Sequence, residues 1–150
     1  MINVGKASAC LVQTKTGNNL LFDCGTVTGF DVISPYLRNA GINHFEALVI
    51  SHDNFDHFSC WPAILKNFKV DKVWHNFSEL GERFEMTQLD SFCRKAKIPV
   101  GGAYLGDQIS FHDNLLKGEI LHPAKEFHAS KNDESIIILL KTSWGEILFP

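Results

Sequence analysis

The stretch ALVISHDNFDH, residues 47–57, sets a short apolar run against a cluster holding two histidines, two aspartates and an asparagine. Ala47, Leu48, Val49 and Ile50 belong to a nearly continuous apolar segment from Phe45 to Ser51, the pattern of a strand covered on both faces. His52, Asp53, Asn54, Asp56 and His57 follow at once, and so many polar groups are costly to bury unless something shares their charge. In open α/β sheets ligands bind just beyond the carboxyl ends of the strands, which is where this cluster stands. An extended backbone sends His52, Asn54 and Asp56 to one side, while His57 enters the next helix. Read so, the four side chains surround one small volume.

Imidazole nitrogens and carboxylate oxygens without thiolates suit Zn²⁺, Mn²⁺ or iron, and fit a catalytic site better than a structural cysteine-type zinc. An open coordination position would hold a water whose pKa falls towards about 7. Such a water attacks an ester, an amide or a phosphodiester while a neighbouring carboxylate takes a proton, so the reaction class is hydrolysis. The same residues also have a reading without a metal: His52 ends a strand, Asp56 N-caps the following helix, and His57 packs against Phe55 or Trp61.

Outward from the cluster, CLVQTKTGNNLLFDCG offers two apolar runs joined by a Thr-Gly-Asn-Asn turn, a hairpin closing on Asp23 and Gly25. Asp31 is a candidate N-cap for a helix carrying Val32, Ile33, Tyr36, Leu37 and Ala40, with Gly41 as its stop. Asp56 to Phe68 reads as one helix, VDKVWH (70–75) as a strand, and Glu79 to Lys97 as a second long helix. From Gly106 the pattern changes to short strands in DQISFH, GEILHP, ESIIILLKTS and GEILFP, which predict a second, mostly antiparallel sheet. Alternating strands and helices followed by a run of strands place the chain in the α/β class.

At 150 residues, 45% apolar with 12 Phe and 3 Trp, the chain reads as one globular domain with material for a packed core. A formal net charge of −3 argues against a broad basic groove for nucleic-acid phosphates, although a metal supplies local positive charge that side chains lack. Lys66, Lys69 and Lys72, with Arg94, Lys95 and Lys97, read as solvated surface. Cys10, Cys24, Cys60 and Cys93 are scattered without a Cys-x-x-Cys pair, as suits reduced thiols in a cytoplasmic protein. Neither a signal peptide nor a run of roughly 20 apolar residues is present in this sequence.

The runs INVG, LVQT, LLFDCG, PYLRNAGI, LVISHDNFDH, PAIL, ILHP, NDES and ILFP, in that order, resemble the metallo-β-lactamase-like domain of the ComEC competence (DNA-uptake) proteins and their stand-alone relatives. The resemblance spans nearly the whole chain and is strongest at LVISHDNFDH and LLFDCG. It implies a metallo-β-lactamase-like αββα sandwich with a site for one or two ions, Zn²⁺ or Mn²⁺, at the sheet edges. It also implies hydrolytic, often nucleolytic, chemistry on a small-molecule or nucleic-acid substrate. By the same resemblance His52, Asn54, Asp56, His57 and His122 are the metal ligands, Asp56 helps activate water, and Asp23 orients the site from behind.

The chain departs from that family where Asn54 stands for the usual Asp or His, where NVGKAS replaces a glycine-rich NVGQGD, and where Phe58, Ser59 and Cys60 follow the Asp-His pair in place of glycines. The family's next acidic ligand and last histidine follow the ILFP strand, so residues 1–150 read as an incomplete, C-terminally truncated domain. A catalytically impaired relative serving as a binding or scaffold domain is the rival reading, and a redox di-iron protein on the same fold a third. No Glu lies between Ala47 and Ser78, which weighs against the third.

Among the remaining residues, His128, Asn132 and Asp133 lie in a loop over the sheet ends and His75 at a strand end, with a surface or packing role expected for each. His44 and His112 carry no pattern. Trp61, Trp74 and Trp144 are expected to pack in the core or at its edges, and Cys60 to be a buried thiol rather than a nucleophile. Substrate, native metal and oligomeric state are left open by the residues.

Overall fold

The computed structural model describes residues 1–75, 84–111, 116–125 and 135–149. His112, His128, Asn132 and Asp133 lie outside the described residues, as does the start expected for the second long helix. The chain opens with a hairpin of β1 (Cys10–Gln13) and β2 (Asn19–Phe22), closed through Thr14 and Asn18 with Gly17 at φ 89°. Only a residue without Cβ takes that left-handed turn position cheaply. A short 3-10 turn, Val27–Gly29, leads into α1 (Phe30–Asn39).

Two short strands come next, β3 (His44–Phe45) and β4 (Ala47–Val49), and then α2 (Phe55–Phe58), α3 (Trp61–Asn67), β5 (Lys69–Val70) and β6 (Val73–His75). The long helix α4 (Phe84–Ala96) is followed by β7 (Val100–Gly102), β8 (Gln108–Ser110), β9 (Leu116–His122), β10 (Ile137–Thr142) and β11 (Gly145–Phe149).

The strands form a five-stranded sheet in the order β1-β2-β4-β6-β7, a four-stranded sheet in the order β11-β10-β9-β8, and a separate β3-β5 pair. In the first sheet β2, β4, β6 and β7 run parallel, with β1 antiparallel at its edge, whereas the second sheet is antiparallel throughout, as its sequence pattern predicts.

Strand alternation divides the interior in two. Leu21, Leu48, Ile50 and Val73 join α-helical Ile33, Leu37, Ile64, Leu65, Leu89 and Cys93 in one buried cluster. Leu20, Phe22, Ala47 and Val49 point the other way, against Ile109, Ile120, Ile136, Ile138 and Leu140 of the second sheet. The first sheet is thus covered by helices on one face and by the second sheet on the other. This double coverage is why β4 is buried at every position.

Several elements differ from their sequence reading for identifiable reasons. Phe45 to Ser51 is two strands: β3 pairs with β5, while β4 enters the large sheet between β2 and β6. The expected helix from Asp56 to Phe68 breaks at Ser59 and Cys60. Pro62 has no N–H to give the Phe58 carbonyl, which accepts instead from Cys24 Sγ at 3.1 Å, and the Cys60 N–H turns to Gly25 O at 3.1 Å. The segment 70–75 is likewise divided between β5 and β6.

Asp31 does not cap α1. The helix starts one residue earlier, behind the 3-10 turn whose Gly29 N–H is capped by Thr26 Oγ1, and Asp31 sits in the first turn, where a carboxylate complements the helix dipole. Gly41, at φ 72°, ends the helix as its sequence position predicts. Trp61 and Trp74 pack against the two clusters, but Trp144 lies in the β10–β11 turn at 75% exposure, contrary to the packing role expected of it.

Candidate functional site

β4 delivers Ser51, His52 and Asp53 to the carboxyl edge of the first sheet, all three buried. Asn54 has extended backbone and N-caps α2 without a side-chain capping bond, so its carbonyl, not its amide group, receives the His57 N–H at 2.9 Å. The short α2 then turns His57 back towards His52, and the two imidazole centroids lie 4.1 Å apart. Asp56 does not cap the helix. Its Oδ2 is 3.9 Å from His57 Nε2, with the side chain half exposed.

Asp23 is the fixed point beneath this pair. It follows β2 directly and adopts φ 56°, a left-handed conformation that costs an ordinary residue about 1–2 kcal/mol and is tolerated best by Asp and Asn. The strained backbone delivers a carboxylate that is 1% exposed. Asp23 Oδ1 accepts the Ser51 N–H at 2.8 Å, and Oδ2 accepts both the Ser51 hydroxyl at 2.9 Å and His57 Nδ1–H at 2.7 Å. Backbone bonds from Cys24 and Gly25 N–H to the His57 carbonyl fasten the same two segments together.

Burial opposes charge on the His57 imidazole, but the hydrogen bond and charge of Asp23, with Asp56 adding to them, outweigh it and raise the His57 pKa above the ordinary histidine range. His52 Nδ1 lies 3.0 Å from the Ser51 hydroxyl. His122, at the end of β9, gives its Nδ1–H to the Ser135 carbonyl at 3.0 Å. The next residue, Ile136, donates to the Ser51 carbonyl at 2.9 Å, so His122 is tied through Ser135 and Ile136, just before β10, to the strand end that carries His52.

The structure therefore gathers Asp23, His52, Asp56 and His57, and ties His122 to them through the backbone of Ser135 and Ile136. Ser51, the hub of the polar contacts, is the residue that sequence reasoning missed. Its signal was available: two residues past β4 it continues the strand's alternation, opposite Ile50 and on the face of Val49, towards the second sheet. As donors, two imidazoles beside a carboxylate are the chemistry that a zinc- or manganese-type ion prefers. Among the described residues, however, no three His, Cys, Asp or Glu side chains stand together as a ready ligand set. What they offer is the His52–His57 imidazole pair with the Asp56 carboxylate 3.9 Å from His57 Nε2.

Other titratable groups stand apart from this seat. His75 shares the face of Val73, on the helical side, where its Nε2 meets Asp90 of α4 at 3.0 Å. His44 pairs with Asp71 at 2.7 Å. The Cys60 thiol is pushed up to about 11 by burial, with the negative charge of Asp31 adding to it, and burial, with Cys60 and Asp23 adding to it, raises the Cys24 thiol well above the ordinary thiol range. Neither is a nucleophile at neutral pH.

Comparison with known proteins agrees with the fold. Residues 2–123 match the family model of the metallo-beta-lactamase superfamily. ComE operon protein 3 of Bacillus subtilis is 27% identical over 119 residues, covering 77% of this chain and 15% of that protein. Recombination protein 2 of Haemophilus influenzae is 25% identical over 154 aligned positions, covering 98% of this chain and 17% of that protein. The chain thus spans about a sixth of these relatives' length.

Among solved structures, a HARLDQ-motif metallo-beta-lactamase of Cronobacter sakazakii superposes with a TM-score of 0.66 at 13% identity, over 97% of this chain and 54% of that one. The shared fold is the expected sandwich, of which the described residues form the helix layer and both sheets. On the match over residues 2–123, the chain belongs to the metallo-beta-lactamase superfamily.

Proposed function

We propose that the chain is a metal-dependent hydrolase in which His52 and His57 seat Zn²⁺ or Mn²⁺, with Asn54, Asp56 and His122 as the further ligands of one or two ions. The superfamily is of metal-dependent hydrolase type, which supports the reading at that coarse level. The observation that carries it is the close pairing of two imidazoles whose Nδ1 atoms both face protein partners, Ser51 and Asp23, so that the ring lone pairs fall on Nε2. A bound ion supplies Lewis acidity and a water acidified to a pKa of about 7.

The chain's own residues would do the rest. Asp23 holds the His57 ring and stabilises positive charge beside it. Asp56, half exposed and 3.9 Å from His57 Nε2, is the carboxylate that would take a proton from an incoming nucleophile. Phosphodiesters are the proposed substrate class, because the relatives bear the names of a competence operon protein and a recombination protein. The test is hydrolysis of bis(p-nitrophenyl) phosphate and of single-stranded DNA with added Mn²⁺ or Zn²⁺. Turnover that is abolished by a chelator and by His57→Ala is the expected result; no metal binding and no turnover would overturn it.

A second reading has its own support. Asn54 is a neutral donor where a carboxylate or imidazole would bind more strongly, and no ready three-residue ligand set stands among the described residues. A scaffold or binding domain on the same fold would bind no ion in the same assay. Asn54→Asp would then restore affinity from nothing.

A further inference from the structure

The Ser51 hydroxyl touches both imidazoles and the buried carboxylate, and the placement of its one proton bears on the state of the His52 ring. The hydroxyl lies 2.9 Å from Asp23 Oδ2, 3.0 Å from His52 Nδ1 and 3.3 Å from His57 Nδ1. An ionised carboxylate only accepts, so the short contact to Asp23 requires the serine to donate there. With its single proton spent on Asp23, the serine oxygen can only accept from His52. His52 Nδ1 must therefore carry hydrogen. His57 Nδ1, at 2.7 Å from the same carboxylate oxygen, must carry hydrogen too.

We infer that Ser51 is a positioning residue that sets the tautomer of His52, as Asp23 sets that of His57, so that both rings present an Nε2 lone pair to the site. Free histidine in water favours the opposite neutral tautomer, with hydrogen on Nε2, so the protein has to invert that preference at both rings. The second sheet takes part: Ser51 is held by its carbonyl to the Ile136 N–H, and the adjoining Ser135 carbonyl imposes the same Nδ1–H tautomer on His122. Second-sphere hydrogen bonds of this kind fix ring orientation and raise the basicity of the outward nitrogen.

This inference rests on the proposed role of His52 and His57 as donors, but its primary test does not need a metal. Ring ¹⁵N shifts of the metal-free protein, recorded at alkaline pH where the imidazoles are neutral, report the tautomer directly. The wild type is expected to show Nδ1–H at His52 and His57. In Ser51→Ala, His52 is expected to shift towards Nε2–H while His57, still held by Asp23, does not. Zn²⁺ affinity should fall about 10-fold or more in the same variant, and Ser51→Thr, which keeps the hydroxyl, should restore both readouts.

Nδ1–H at His52 that persists in Ser51→Ala overturns the inference. So does Nε2–H at His52 in the wild type, a measurement that stands even if the variant does not fold. A wild type with the expected tautomers but no Zn²⁺ binding would instead overturn the metal-site reading and leave the role of Ser51 intact.

Discussion

His57 and His75 each lean on an aspartate near the carboxyl edge of the same parallel sheet, at 2.7 and 3.0 Å, yet their surroundings differ. His57 faces a carboxylate that is 1% exposed and lies 4.1 Å, ring to ring, from a second histidine. His75 meets a surface carboxylate on α4, on the helical side of the sheet, beside a shallow cavity of about 360 Å³ lined by Asp90, Arg94, Ile98 and Val100. A histidine–aspartate pair is therefore not a site in itself. What distinguishes the first pair is convergence: a strained Asp23, a buried serine and a short helix that returns one imidazole to another.

Breaking the converged pair should have the larger effects. His57→Ala is expected to abolish divalent-metal binding measured by calorimetry, while His75→Ala leaves it unchanged. Asp23→Asn should weaken Zn²⁺ binding by roughly 10- to 100-fold. It should also cost about 2 kcal/mol in denaturant unfolding, because the Ser51 hydroxyl and His57 Nδ1–H lose a charged acceptor in a buried setting.

Smaller changes sharpen the contrast. Asn54→Asp adds a charged oxygen donor and is expected to raise Mn²⁺ or Zn²⁺ affinity by about tenfold, equivalent to ~1.4 kcal/mol, in the same titration. Asp90→Asn should cost less than about 1 kcal/mol, since the Asp90 side chain is itself 43% exposed and its pairing is screened by water. The Asp90 pKa is lowered chiefly by its hydrogen bond to His75, so the stability it contributes is present above the ordinary aspartate range, near pH 4, and is lost as pH falls through that lower value. Acid unfolding curves of the wild type and Asp90→Asn should therefore differ above about pH 4 and converge below it.

Much of the comparison was legible in the sequence, because its signals are local. The apolar run ending at Ser51 predicts a doubly covered strand, and the density of His52, Asp53, Asn54, Asp56 and His57 marks its end as a polar cluster at the sheet edge. The hairpin ending at Asp23, the stop at Gly41 and the antiparallel second sheet follow from turn chemistry and alternation. The helix break after Phe58 was also encoded, in Pro62, but helical periodicity across residues 56–68 masked it.

Other features were not local. Nothing within residues 19–25 says that Asp23 will take φ 56° to reach Ser51, since its partners lie nearly thirty residues on. His75 and His57 look alike as isolated histidines, and only the sheet register, with Val73 and His75 on the helical face, tells them apart. Trp144 shows the limit of a size argument, because a large apolar ring at a hairpin tip has no core within reach.

The most direct test of the account is a Zn²⁺ titration of the metal-free chain by calorimetry, run beside His57→Ala under the same conditions. The account predicts saturable binding by the wild type that disappears in the variant. Equal binding by both proteins, or none by either, would contradict the claim that the paired imidazoles form a seat for a metal ion.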